Sequence, residues 1–381
     1  MFKNLQDGLG GAAELIAAGR LMDATAAIQR ALGGSAAPET ANVKARRAPP
    51  TIEGLAEPRK APTGRLPRER SRDFLGKVNL RDLVPPKLKV PSASVPVPEG
   101  AQFLAGTFAN EAGGRPYKLY VPSGYHAGQK VPLVVMLHGC TQSPDDFALG
   151  TRMNEIAEQR NLLVVYPGQV GSANMQKCWN WYKEGDQRRD EGEPSLIAGI
   201  TRKVIAAYAV DPKRVFVAGL SAGGAAAAIM GATYPDVYAA IGVHSGLACG
   251  SAHDVPSAFN AMRQGAAGSA PGRQRIHVPA IVFHGDGDTT VSHRNGEAVA
   301  AQSVGGAKLS TRVERGEAPG GRSYTRTIHC DAGGHSVVEQ WVVHGTAHAW
   351  SGGSPEGSYT DPQGPDASRE MVRFFMQAAR A

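Results

Sequence analysis

A serine flanked by glycines is the strongest chemical signal in this chain of 381 residues. Residues 219–223 read Gly-Leu-Ser-Ala-Gly; the β-forming run 215–218 precedes them, and an alanine-rich, helix-forming run follows. A strand, a sharp turn and a helix in this order are the context in which Gly-x-Ser-x-Gly forms a nucleophile elbow. The flanking glycines let the serine adopt a strained backbone conformation without collisions against the strand or the helix. The pattern predicts that Ser221 is a catalytic nucleophile.

An acid that orients the catalytic base is expected after the serine and before a histidine, the chain order that accompanies this elbow. The apolar strand candidate 279–283 runs into a loop with two acids, Asp286 and Asp288. Asp286 follows the strand almost at once and suits a loop cap, a common position for aspartate. Asp288 lies further into the loop and can turn back toward the serine. We therefore predict Asp288 as the orienting acid and keep Asp286 as the alternative.

Two histidines, His344 and His348, follow the strand-like run 337–343. His348 lies among small residues, with Gly345 before it and two glycines at 352–353 after it, so its imidazole can project freely. His344 ends the strand and suits a packing role at the rim. His348 is therefore the predicted general base, with His344 as the alternative.

Two backbone N–H groups are the predicted oxyanion hole. Ala222 follows the nucleophile directly, and Cys140 lies in the loop 138–142 after an apolar strand candidate at 131–137. Donors at these two positions would stabilise the negative charge that develops on an ester carbonyl during attack. This chemistry is acyl transfer through Ser221, and we expect neither a metal nor a cofactor.

Strand and helix signals alternate from about residue 103 onward, which predicts an α/β fold with a mostly parallel sheet flanked by helices. In such sheets ligands bind beyond the carboxyl ends of the strands, where the residues named above would meet. The predicted strands are 103–110, 115–121, 131–137, 162–166, 214–219, 239–243, 279–284 and 336–343, with helices within 145–160 and 195–209, after the elbow, and at 366–379.

A basic, proline-rich stretch precedes this region. Residues 36–98 hold 13 Lys and Arg, 6 Asp and Glu, and 11 of the 26 prolines. This composition predicts a disordered linker, with the catalytic domain at 99–381. Because the linker accounts for the whole net charge of +7, the catalytic region is neutral, and we expect no nucleic acid partner.

A helical segment is predicted within residues 1–35. The apolar stretch 12–32 has helical spacing and ends at two glycines. Such a helix would either dock on its own domain or bind a granule or protein partner. Charged residues interrupt the stretch, so neither a secretory signal nor a transmembrane segment is expected, which favours a cytoplasmic location.

Three tryptophans and one histidine are candidates for substrate binding. Trp179, Trp181 and Trp350 lie near the motifs and would line an acyl or polymer groove, and His244 would border the site. The alternative for the three tryptophans is aromatic packing beneath loops, with Trp350 placed to position His348.

The pairing of the cysteines would indicate the cellular compartment of the protein. Cys140, Cys178, Cys249 and Cys330 permit three fully paired connectivities. A bridge between Cys140 and Cys178 would tie the aromatic loop to the predicted active site. It would also require an oxidising compartment, in conflict with the expected lack of a secretory signal.

Four separated motifs occur in order: Leu-His-Gly-Cys-Thr-Gln at 137–142, Cys-Trp-Asn-Trp at 178–181, Gly-Leu-Ser-Ala-Gly-Gly at 219–224 and His-Ala-Trp-Ser-Gly-Gly at 348–353. Together they make the chain resemble the polyhydroxybutyrate (PHB) depolymerase family of esterases over roughly residues 100–380. That family consists of α/β-hydrolases related to feruloyl and acetylxylan esterases, and it is often secreted.

The resemblance implies a triad of Ser221, Asp288 and His348, a disulfide between Cys140 and Cys178, and an extracellular location. It favours a serine esterase acting on poly- or oligo(3-hydroxybutyrate). The alternatives are a feruloyl- or acetylxylan-type carbohydrate esterase, a broad short-acyl esterase, and a non-enzymatic granule- or surface-binding protein.

Overall fold

The computed structural model describes residues 94–265 and 275–379. The helix predicted within residues 1–35 lies outside the described residues, as does the predicted linker up to residue 93.

A ten-stranded sheet forms the centre of the described part. Its six middle strands run parallel, and two antiparallel strands extend it at each edge. The strands are β1 (Gln102–Asn110), β2 (Gly113–Val121), β3 (Val131–Leu137), β4 (Leu163–Pro167), β5 (Val210–Leu220), β6 (Ala240–His244), β7 (Ala280–Gly285), β8 (Ser310–Glu317), β9 (Ser323–Cys330) and β10 (Ser336–Val343). Their spatial order is β1-β2-β4-β3-β5-β6-β7-β10-β9-β8. A separate parallel pair joins β11 (Trp350–Ser351) to β12 (Thr360–Asp361).

Helices cover both faces of this sheet, so the predicted α/β fold is confirmed. The α-helices of the described part are α1 (Pro144–Thr151), α2 (Met153–Arg160), α3 (Gly192–Ala207), α4 (Ala222–Thr233), α5 (Val255–Gln264), α6 (Arg294–Val304) and α7 (Ala367–Ala378). One face of the sheet packs against α3, α4 and α6, and the other against α1, α2 and α7.

Strands β3 and β4 read as unbroken apolar runs because both of their faces are buried. In β3, Leu133 and Val135 face the core beneath α3 and α4, while Val134 and Met136 face the opposite core. Successive side chains of a strand point to opposite faces, so a continuous apolar run fills both cores at once. This arrangement fixes the carboxyl ends of the strands at one edge, where the candidate site lies.

Several elements carried no clear sequence signal. The hairpin of β8 and β9 was not predicted, because β8 is mostly exposed and has only one large apolar residue, Val313. Helices α5 and α6 were also missed. The single helix expected within 145–160 is instead two, broken at Arg152, whose φ of 52° is left-handed.

Candidate active site

Ser221 occupies the turn between β5 and α4. Its φ of 57° and ψ of −120° are strained for a residue with a side chain. The flanking glycines make this turn possible. A Cβ on Gly219 would lie 2.3 Å from the carbonyl oxygen of Gly223, and a Cβ on Gly223 would lie 2.0 Å from that of Leu137. The turn therefore holds Ser221 partly exposed at the carboxyl edge of the sheet.

Asp288 and His348 meet from two different loops. The Nδ1 atom of His348 lies 2.7 Å from Oδ2 of Asp288. The other carboxylate oxygen, Oδ1, accepts the backbone N–H groups of Thr290 and Val291 at 2.9 and 2.8 Å. The Asp288 side chain is fully buried, whereas that of His348 is 12% exposed. With Nδ1 engaged by the carboxylate, Nε2 of His348 is left for an incoming group.

The surroundings of Asp288 keep it ionised. Burial raises the pKa of a carboxyl group, but hydrogen bonds from His284 and His348 and from the Val291 amide outweigh it. The pKa of Asp288 consequently lies below its ordinary value. A buried carboxylate of this kind orients the neighbouring imidazole and stabilises the imidazolium that forms during catalysis.

His284 is a contributor for which the sequence carried no signal. It lies near the end of β7 and is buried. Its Nε2 atom lies 2.9 Å from the carbonyl oxygen of Val291 and 3.4 Å from Oδ2 of Asp288. His284 therefore gives the Asp288 carboxylate a second imidazole neighbour.

The two alternative residues form a pair of their own. Nδ1 of His344 lies 2.7 Å from Oδ2 of Asp286, and both side chains are more than one third exposed. The structure therefore pairs Asp286 with His344 and Asp288 with His348.

The loop 138–142 lies directly against the elbow. A Cβ on Gly139 would be 3.5 Å from the Cβ of Ser221. Within residues 94–265 and 275–379, the backbone N–H groups of Cys140 and Ala222 donate no hydrogen bond. Neither N–H group is therefore engaged by the protein itself within these ranges.

A disulfide anchors this loop from outside. Cys140 and Cys178 are bonded, which confirms the pairing implied by the family resemblance. The next residue, Trp179, donates its indole N–H to the carbonyl oxygen of His138 at 3.1 Å. The segment at 178–179 thus holds the loop at two points.

Gln142, the last residue of the motif at 137–142, anchors the same loop from within. Its Oε1 accepts the Gly139 N–H at 2.9 Å, and its Nε2 donates to Oδ2 of Asp146 at 2.9 Å. His138 adds a further contact, because its Nε2 accepts the backbone N–H of Gln169 at 3.0 Å. Burial lowers the pKa of His138 to about 4, so this ring is a neutral acceptor near pH 7.

Three of the four predicted substrate-binding side chains lie in the interior. Trp179, Trp350 and His244 are each at most 1% exposed. The His244 ring stacks between Phe283 and Trp350, with centroids 5.7 and 5.0 Å away. This placement favours packing over a groove-lining role for these three. Trp181, the fourth, is also mostly buried, at 7% exposed.

His244 joins the elbow to the loop of His348. Its carbonyl oxygen accepts the Ser221 N–H at 2.9 Å, and its Nε2 accepts the Ser351 N–H at 2.9 Å. Burial holds the pKa of His244 well below its ordinary value, so Nε2 stays an acceptor. In the described part of the chain, the Ser221 hydroxyl makes no hydrogen bond, to His348 or to any other group.

Within residues 94–265 and 275–379, no group of three or more His, Cys, Asp or Glu side chains is arranged to hold a metal ion. Over the same residues, no helix has both the length and the apolar character needed to cross a membrane.

Comparison with known proteins gives related sequences and a related fold. A family model described as esterase PHB depolymerase matches residues 115–309. Poly(3-hydroxyalkanoate) depolymerase C of Paucimonas lemoignei is 30% identical over 294 residues, which cover 74% of this chain and 69% of that protein. A probable acetylxylan esterase A of Neosartorya fischeri is 28% identical over 216 residues, covering 52% of this chain and 57% of that protein.

Among solved structures, an acetyl xylan esterase from Aspergillus awamori superposes with a TM-score of 0.57. The aligned region covers 73% of this chain and 99% of that protein, at 20% sequence identity. At this identity the similarity supports the fold alone.

Proposed function

This chain belongs to the esterase PHB depolymerase family and is a carboxylic ester hydrolase, and we propose that it cleaves poly- or oligo(3-hydroxybutyrate) through a triad of Ser221, His348 and Asp288. The observation that carries the triad is the 2.7 Å contact between Asp288 and His348, on loops that leave the sheet at the same edge as the elbow serine. The substrate class is supported by the family and by the depolymerase relative.

Acylation begins when Nε2 of His348 removes the hydroxyl proton of Ser221 as its oxygen attacks the ester carbonyl carbon. The ionised Asp288 stabilises the resulting imidazolium through Nδ1. The carbonyl oxygen gains negative charge and accepts the N–H groups of Cys140 and Ala222. Collapse of this intermediate breaks the bond to the alcohol, which leaves with the proton from His348.

Deacylation repeats the same steps with water. His348 removes a proton from a water molecule, whose oxygen attacks the acyl carbon of the acyl-enzyme. Collapse releases the carboxylic acid, and the proton on His348 returns to the oxygen of Ser221. For a hydroxybutyrate oligomer, both products are shorter hydroxy acids or oligomers.

Exposed apolar side chains lie beside the loop 138–142, here called the oxyanion loop because it carries the Cys140 N–H. Such side chains suit an uncharged polyester chain. The Tyr359 hydroxyl lies 3.1 Å from Oγ1 of Thr141, the residue after Cys140. The Thr141 N–H donates to the carbonyl oxygen of Gln176, the neighbour of Met175. Met175 is 92% exposed and Tyr359 43% exposed. These two replace the buried tryptophans as candidates for substrate contact.

A carbohydrate esterase is the second candidate function. The observation that favours it is the identity to an acetylxylan esterase over about half of this chain. The same triad would cleave either ester, because both substrates present an ester carbonyl for attack and differ only in the acyl and alcohol groups attached to it.

Turnover of several esters by the purified protein, measured side by side, tests the substrate proposal. We expect the highest kcat/KM on 3-hydroxybutyrate oligomers, with lower values on PHB granules, acetylated xylan and feruloylated sugars. Ser221→Ala, assayed on the same esters, controls for background hydrolysis. A higher kcat/KM on acetylated xylan or feruloylated sugars would make the chain a carbohydrate esterase instead.

We place the hydrolase domain at residues 99–381 and assign any granule or protein partner to the segment before it. Deleting residues 1–95 tests this division. Loss of granule binding with retained hydrolysis of a soluble ester would support it, and loss of hydrolysis in a soluble, folded protein would contradict it.

A further inference from the structure

Two Asp–His pairs join the same two loops side by side. The loop after β7 carries Asp286 and Asp288, and the loop after β10 carries His344 and His348. In both pairs Nδ1 of the histidine lies 2.7 Å from Oδ2 of the aspartate. The inner pair is buried at the proposed catalytic centre, whereas the outer pair is partly exposed at the rim.

We propose that Asp286 and His344 form an outer clamp that holds the two loops in register and so positions His348 against Asp288. Neither residue of the clamp touches substrate in this role, so both are positioning residues. The proposal rests on the triad proposed above, because the distance that the clamp controls is the one between His348 and Asp288.

The outer pair is fixed at both of its ends. The second oxygen of Asp286, Oδ1, accepts the Gly345 N–H at 2.7 Å. On the other side, Nε2 of His344 lies 3.0 Å from Oγ1 of Thr325 on β9. The His344 backbone N–H also donates to Ser323 at 2.9 Å. The clamp therefore runs across three neighbouring strands, β7, β10 and β9.

Backbone packing couples the outer pair to the inner one. A Cβ on Gly285 would lie 2.2 Å from the carbonyl oxygen of Thr346, and a Cβ on Gly287 would lie 3.1 Å from it. The glycines that flank Asp286 thus let the two loops touch without side chains between them. A shift of the loop at Gly345 is then passed directly to His348, three residues further along.

Charge strengthens the clamp. Burial raises the pKa of Asp286, but the hydrogen bonds from His344 and the Gly345 amide outweigh it and lower the pKa below its ordinary value. The carboxylate stays ionised, and hydrogen bonds to ionised groups are stronger than neutral ones. Misplacement of a catalytic group by about 1 Å can cost on the order of 100-fold in rate, so even a modest loosening is measurable.

The chain offers a matched control pair. Asp331 and His335 lie in the turn between β9 and β10, with Nδ1 of His335 3.4 Å from Oδ2 of Asp331. This pair has the same chemistry and similar exposure, but it lies at the amino end of β10. His348 follows the opposite end, so removal of the control pair leaves the catalytic loops untouched.

The test compares Asp286→Ala, His344→Ala and their double variant with Asp331→Ala and His335→Ala, all in the full chain. Two rates are measured: turnover of p-nitrophenyl butyrate and inactivation by phenylmethylsulfonyl fluoride. In the second reaction the Ser221 oxygen bonds to sulfur, the S–F bond breaks, and the hydroxyl proton leaves with fluoride. This readout follows activation of the serine and does not depend on which ester is natural.

We expect each clamp variant to lower kcat and the inactivation rate about tenfold, with KM within about twofold. The double variant should match the single variants, because the pair acts as one unit. His344→Asn keeps a donor near the position of Nδ1 and should restore most of the rate. The control variants should stay within about twofold of the wild type.

An unchanged kcat in the clamp variants would overturn the proposal. So would losses in kcat that multiply in the double variant, or losses of the same size in Asp331→Ala and His335→Ala. Asp286→Asn, which keeps the size of the side chain, replaces Asp286→Ala if circular dichroism shows that the alanine variant is unfolded. A Ser221→Ala protein that is still inactivated at the wild-type rate would contradict the triad instead, which separates the two failures.

Discussion

The Nδ1 atom of His348 lies 2.7 Å from Oδ2 of Asp288, although 60 residues separate the two in the chain. The sheet brings them together, because β7 and β10 are parallel neighbours and pair Gly285 with Val343 at their carboxyl ends. The two loops therefore leave the sheet at the same carboxyl edge as the elbow, which follows β5.

Replacing Ser221 with alanine should remove ester hydrolysis and leave the fold intact. The variant loses the nucleophile, and we expect kcat to fall by at least about 10⁴-fold. Hydrolysis of p-nitrophenyl butyrate measures the loss, and circular dichroism checks the fold. A folded Ser221→Ala protein with wild-type turnover would show that another residue is the nucleophile.

Asp288→Asn should cost far more activity than Asp286→Asn. The amide removes the charge that stabilises the imidazolium of His348 and permits the wrong tautomer, for about a 10⁴-fold loss in kcat. Asp286→Asn should cost about tenfold or less, because this residue only positions the loops. Steady-state kinetics of the two variants decide the matter, and a larger loss in Asp286→Asn would reverse the assignment.

Removing the disulfide should lower both stability and activity. Cys140 and Cys178 are 38 residues apart, and loop closure of that length contributes about 4 kcal/mol to the free energy of unfolding. Activity should also fall, because the bridge anchors the residue that offers an oxyanion N–H. Urea unfolding and kinetics of the Cys140→Ser/Cys178→Ser variant measure the two effects.

Cys330→Ser is the matched control for this experiment, since Cys330 is a free cysteine far along the chain. It should keep wild-type stability and turnover. If the double serine variant keeps them too, the bridge has no role in holding the oxyanion loop.

Gly223→Ala should destabilise the protein by about 3 kcal/mol or more, because the added methyl group meets rigid backbone. The new Cβ would lie 2.0 Å from the carbonyl oxygen of Leu137. Gly171→Ala is the control, since nothing lies within 4 Å of a Cβ there. Urea unfolding compares the two, and equal stabilities would mean that the elbow has room for a side chain.

Stability should decline as pH falls from 7 to 5. Burial lowers the pKa of His138 from 6.5 to about 4 in the folded protein, so over this range the unfolded chain binds more protons than the folded one. Protons then favour unfolding, by about 2 kcal/mol at pH 5 from His138 alone. His244, shifted in the same direction, adds to this.

Urea unfolding at pH 7, 6 and 5 and constant ionic strength measures the slope. The loss of the ionised Asp288 contributes only at lower pH, because the ordinary pKa of its carboxyl is 3.8. Asp186 and Glu193, whose pKa values burial raises, act in the opposite direction, so the slope is compared with that of His138→Gln. Equal slopes in the two proteins would contradict neutral burial of His138.

Local patterns were sufficient for much of the fold. Central strands such as β3 and β4 are buried on both faces, and their unbroken apolar runs are visible in sequence. The exposed hairpin of β8 and β9 left no such run, because its side chains face solvent. An exposed strand is held by hydrogen bonds to the adjacent strands of the sheet, and those strands cannot be identified from the periodicity of its own sequence.

Side-chain environment was harder to predict than backbone. Trp179 and Trp350 looked like candidates for a groove because they stand beside motifs, yet both are buried. Adjacency in the chain places a residue near a site without deciding whether it faces solvent or the core. The exposed Tyr359 lies beside the oxyanion loop through contacts that no local pattern encodes.

The sequence by itself determined the elbow, the order of serine, acid and histidine, and the α/β fold, because these depend on strand, turn and helix preferences over a few residues. Only the tertiary structure decided that Asp286 pairs with His344 while Asp288 pairs with His348. Either aspartate followed by either histidine satisfies the same chain order and offers the same carboxylate–imidazole chemistry. The choice depends on the packing of two loops against each other, which exists only once β7 and β10 lie side by side in the sheet.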